Sequence, residues 1–81
     1  MKKFRFGTAE NGYDSEARAM LREANEKWMD DGGTNEFQSP EGLDGCVERD
    51  RGVNYVRITA AFAEFVCREY PDCANAITSR S

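Results

Sequence analysis

The stretch GVNYVRITAAFAEFVCREYP, residues 52–71, can be folded in two ways, and the choice between them decides the architecture. In the first, Asn54 caps one helix running to Tyr70. Tyr55, Ile58, Phe62, Phe65, Val66 and Glu69 then fall near one face, and Pro71 supplies the stop. In the second, Asp50-Arg51-Gly52 is a hairpin turn joining strands at 46–49 and 53–58, with a helix starting only at Thr59. The β-branched cluster Val53, Val56, Ile58 and Thr59 speaks for that strand. Because the helical stripe continues unbroken into Phe62 and Val66, the long helix is the favoured reading.

Working outward, Phe4 and Phe6 flank Arg5 in period-two alternation, which predicts a short N-terminal strand with both rings on one face. Ala17, Met20, Leu21, Ala24 and Trp28 recur at three- and four-residue steps and mark the apolar stripe of a helix. Gly32-Gly33 ends it, since glycine takes the left-handed cap geometry without strain. Thr34 to Gln38 suggests a further short strand centred on Phe37. Ser39-Pro40-Glu41 has the form of a helix start, with a hydroxyl cap, proline at the first helical position and an acid. Gly42 and Gly45 keep that helix short. The expected fold class is therefore α+β and helix-dominated. It has a short N-terminal strand, two main helices at about 14–31 and 54–70, and a short helix near 40–50. The alternative is β-α-β-β-α with a hairpin at 46–58.

At 81 residues there is room for one domain with one core, here read as 1–81 with a partly flexible tail at 72–81. Leu, Ile, Val and Phe make up only about a sixth of the chain, low enough to raise the question of disorder. Nine aromatic residues and a net charge of only −4 answer it in favour of a folded domain. No segment reads as a signal peptide, and the apolar run from Ala60 to Val66 is far short of a membrane span. Cys46, Cys67 and Cys73 are an odd count without a C-x-x-C pair, as expected of reduced thiols in a cytoplasmic protein. Cys46 and Cys67 read as core fillers, and Cys73 as the exposed one.

Histidine is absent. The commonest general base and zinc ligand is therefore missing, and with it the usual partner of Ser and Cys nucleophiles. A chain this short also offers little scaffold for a deep pocket that would retune carboxylates. No enzyme activity, catalytic residue or cofactor is expected. The segment Asp30-Asp31-Gly32-Gly33-Thr34-Asn35-Glu36 has oxygen ligands but lacks calcium-loop spacing, so no metal site is expected either.

The charges are unevenly placed. Between Asp30 and Asp50 seven carboxylates face one base, a balance of −6, whereas Lys2, Lys3 and Arg5 give the first nine residues +3. Such asymmetry argues about partners rather than fold. It predicts docking on the basic surface of a larger protein or nucleoprotein complex, with no direct nucleic-acid contact and no membrane. Asp30, Asp31, Glu36, Asp44 and Glu48 are the candidate partner-binding acids, with Phe37 or Trp28 as aromatic anchor; Trp28, continuing the helix stripe, is better suited to the core. Neutralising Asp30, Asp31 and Glu36 together is expected to leave stability nearly unchanged. The basic N-terminal cluster reads as an edge strand whose lysines discourage aggregation. In size and charge the chain resembles the small inhibitors that phages and plasmids use against host defence complexes, among them anti-CRISPR and antirestriction proteins. That resemblance implies inhibition by occupying a basic surface, and it transfers no residue roles. The alternative is a small homo-oligomeric assembly protein, for instance a homodimer.

Overall fold

Thr59 divides the ambiguous stretch in two. In the computed structural model, which describes residues 1–7, 14–72 and 77–78, a strand precedes Thr59 and a helix follows it. The elements in chain order are β1 (Lys2–Gly7), α1 (Asp14–Asp30), α2 (Leu43–Cys46), β2 (Glu48–Asp50), β3 (Val53–Ile58), α3 (Ala60–Glu69) and β4 (Ile77–Thr78). The fold is α+β, and the hairpin alternative is the one adopted. The expected helix over 54–70 is shortened at its start by six residues.

The reason lies in the backbone. β3 pairs antiparallel with β1 on one side and β2 on the other, so both of its edges are satisfied by sheet bonds. Val56 and Ile58 are fully buried beneath it. The run from Tyr55 through Ile58 to Phe62 mimics a helical stripe only because a strand and a helix meet there in phase. Thr59, rather than Asn54, caps the helix: its hydroxyl accepts from the Phe62 N–H at 3.2 Å. Arg51 and Gly52, with φ of 53° and 81°, form the two-residue turn between paired Asp50 and Val53. Two positive φ values are what a type I′ hairpin requires.

The sheet order is β2-β3-β1-β4. β1 and β2 both run antiparallel to β3, while β3 and β4 both run antiparallel to β1. Two β-α-β units are thus interleaved, the connectivity of a ferredoxin-like α+β domain. The two main helices pack on the side of Phe4, Phe6, Val56 and Ile58, and the core is completed by Leu21, Ala24, Phe37, Leu43, Phe62 and Val66. β1 is central, not an edge strand, so its lysines are not edge protection. The expected tail at 72–81 lies largely outside the described residues, apart from β4.

α1 stops as its glycines predict. Gly33 N–H donates to the Trp28 carbonyl at 2.7 Å and Gly32 N–H to the Met29 carbonyl at 3.0 Å, the paired bonds of a Schellman motif. Only Gly32 is left-handed, at φ 92°. Gly33 is needed for space, because the Trp28 indole lies against its α-carbon. The strand expected at 34–38 does not form. Asn35 Oδ1 accepts from Phe37 N–H at 3.1 Å, and Asn25 Oδ1 accepts from Glu36 N–H at 3.0 Å. Side chains thus take the donors a ladder would have used. The helix start at Ser39 becomes a turn, with the Ser39 hydroxyl donating to the Gly42 carbonyl at 2.7 Å, and α2 has only four residues.

Candidate functional site

The acids that cluster in sequence are dealt to four places by the fold. Asp30 and Asp31 lie exposed at the C-terminal end of α1 and make no ion pair among the described residues. Glu36 reaches the start of α3, where its carboxylate accepts from the Thr59 N–H at 2.9 Å and from the Thr59 hydroxyl at 3.1 Å. An anion there is favoured by the helix dipole, and it supports the residue that caps the helix. Asp44 accepts from Arg18 at 2.9 Å and Arg22 at 2.8 Å, fastening α2 to the first half of α1. Glu48 on β2 meets Arg57 of β3 at 3.0 Å. Glu36 therefore has a structural job, and neutralising it will cost stability, contrary to the expectation from sequence.

Neither proposed aromatic anchor projects from the surface: Phe37 is buried and Trp28 half-buried. Phe37 is only 3 % exposed and meets Phe62 edge-on, with centroids 6.0 Å apart. It is a core residue, held inward by the side-chain hydrogen bonds of Asn25 and Asn35. Trp28 packs on Phe62 and Phe65 at 5.8 and 5.3 Å, as its place in the helix stripe suggests.

What the fold builds instead is an open groove of about 380 Å³ between the second half of α1 and the loop leading into α2. Phe37 and Leu43 form its floor, Met29 and Pro40 its apolar walls, and Glu26 and Glu41 its acidic rim. Arg22 also lines it, and its guanidinium is drawn to Asp44, a carboxylate it shares with Arg18. Glu26 stands one helical turn before Asp30, so the negative rim continues toward the end of α1. The wall opposite α1 is held by Asn25, the one buried polar residue among the described residues. Its Nδ2 donates to Asn35 Oδ1 at 2.8 Å while its Oδ1 receives Glu36, which pins the loop to the helix.

Sequence reasoning missed Glu26, Met29 and Glu41. Glu26 looked like any solvated helix acid. The usable signal was Met29, three residues on: at 39 % exposure it is a large apolar side chain that the core does not claim. A groove with an apolar floor and acidic rim suits a lysine or arginine side chain, whose stem lies on carbon while its head meets carboxylate. Among the described residues there is no group of three or more metal-ligating side chains, and no helix is long and apolar enough to cross a membrane. Comparison with protein-family models, with curated proteins and with solved structures finds no match to this chain.

Proposed function

We propose that this is a non-enzymatic docking protein that engages the basic surface of a larger protein complex through the acidic groove of α1 and thereby blocks it. The observation that carries the reading is the juxtaposition of Glu26, Met29 and Glu41 over the Phe37–Leu43 floor. Asp30 and Asp31 extend the negative field and steer approach, while Glu36, Asp44 and Glu48 serve the fold. The resemblance in size and charge to inhibitors of the anti-CRISPR and antirestriction kind supports an inhibitory role on a nucleic-acid-binding target. Cys46 and Cys67 are free thiols, which suits a reducing compartment such as the cytoplasm. The homo-oligomeric alternative is less favoured. Among the described residues only Met1 and Met29 are large hydrophobics left exposed, too little for a symmetric apolar interface.

The test is a titration of isotope-labelled protein with a short peptide alternating arginine and leucine. Amide shifts should centre on Glu26, Met29 and Glu41 and fade as salt is raised. Binding by a Glu26→Gln, Glu41→Gln variant that equals wild type at low salt would sink the groove reading.

A further inference from the structure

The reading above leaves the basic N-terminal cluster unused. Sequence suggested edge protection, yet β1 lies between β3 and β4. Alternation along β1 turns Phe4 and Phe6 into the core, which places Lys3 and Arg5 on the opposite face of the sheet. Register then sets Lys3 opposite Arg57 and Arg5 opposite Tyr55, so two central strands contribute to one surface. The main helices pack on the other side. Where the sheet ends, Met1, Lys2, Lys3 and Arg57 line a hollow of about 220 Å³; among the described residues no acid lines it, although Glu48 pairs with Arg57.

We infer that this sheet face is a binding site for the phosphate backbone of a single-stranded nucleic acid. Arg57 contacts Glu48 through Nε and also hydrogen-bonds Tyr55, and its fork of donors retains N–H groups that can turn to an anion. The hollow is smaller than the ~300–1,000 Å³ pockets that enclose whole small ligands. It holds a phosphate and not a nucleotide, which favours a polymer continuing along the sheet toward Arg5. Tyr55 selects nucleic acid over an acidic peptide. Its ring lies on the same face, with the Lys3 ammonium 4.5 Å above its centroid. The ring is only 9 % exposed, so a base stacks there only once that ammonium is drawn onto phosphate and the ring opens to it. The net charge of −4 does not forbid this. The molecule is 23 Å through its shortest axis, about twice the ~8–10 Å screening length at physiological salt or more. The acidic groove in the helical layer is accordingly screened from the opposite face.

The experiment is fluorescence anisotropy with a labelled oligothymidylate, run from about 20 to 200 mM salt, with polyglutamate of equal length as a second arm. Binding should weaken with salt with a log–log slope of about −2, the value for two to three neutralised phosphates on a single strand. Lys3→Gln with Arg57→Gln should lower affinity at least about tenfold at low salt. Tyr55→Leu should cost about fivefold or more, because stacking needs the ring, whereas Tyr55→Phe keeps the ring, loses only the hydroxyl's bond to Arg57, and should cost less. Trp28 emission reports whether each variant is folded. If any variant unfolds, amide shifts in the wild-type protein must map to residues 2–5 and 55–57. Glu26→Gln with Glu41→Gln should leave oligothymidylate binding unchanged, so failure of the groove and failure of this face are read separately. No binding at the lowest salt, shifts elsewhere, or equal affinity for polyglutamate would each overturn the assignment.

Discussion

Replacing Gly33 by alanine should displace the only tryptophan in the chain, and the adjacent Gly32 provides the control. A Cβ at Gly33 would stand 2.5 Å from the indole Cδ2 and Nε1 and closer still to Cε2. The ring cannot retreat inward, since Phe62 and Phe65 hold its other side at 5.8 and 5.3 Å. It must swing toward water. Overpacking of this kind costs about 1–3 kcal/mol. One gain offsets part of it: the indole N–H has no partner among the described residues, and hydrating it returns about 1 kcal/mol. The net loss is then about 0–2 kcal/mol, a fall in melting midpoint of up to roughly 16 °C for a domain of this size. Emission should shift to longer wavelength in the folded state. Gly32→Ala meets nothing within 4 Å but forces a left-handed φ of 92°, so it should lose about 1 kcal/mol with unchanged emission. The paired measurement is denaturant unfolding followed by fluorescence. If Gly33→Ala kept both wild-type midpoint and spectrum, the packing account of this helix end would be wrong.

Glu36→Ala removes the acceptor of both the Thr59 N–H and hydroxyl, and should cost about 1–2 kcal/mol by urea denaturation, with Glu36→Gln near half of that. Asp44→Asn loosens two exposed arginine contacts and should change stability by less than about 1 kcal/mol in the same assay. Arg51→Asn relieves a non-glycine residue at φ 53° and should raise the melting midpoint, by about 0.5–1 kcal/mol of stability, in differential scanning calorimetry.

Much of the helical layer was readable because its signals are local. The stripe from Ala17 to Trp28 and the two glycines after it delimit α1 to within a residue. The split at Thr59 was harder, because it depends on β1 and β2 being present to pair with Val53–Ile58. Tyr55 also blurred the alternation. It faces away from the core yet is only 9 % exposed, with Lys3 lying over its ring. Phe37 misled for a related reason: an isolated aromatic in a polar stretch looks like an anchor until Asn25 and Asn35 are seen turning it inward. The acidic third failed as a single surface because its chain travels. It leaves α1, touches the head of α3, returns to the middle of α1 and enters the sheet, so charge adjacency along the chain did not survive folding.

The central place of β1 has a bearing on how the molecule is made. Its first residues find their partners at Ile58 and, on the other edge, at Ile77 and Thr78. β1 can therefore complete neither of its ladders through a local hairpin, although Leu21 and Ala24 of α1 share the core of its two phenylalanines. Assembly of the sheet waits on contacts that are distant in sequence, the topology associated with slower folding. The polar flank formed by Lys2, Lys3 and Arg5 keeps that waiting segment charged, which is a service to the newborn chain whatever else those side chains do later.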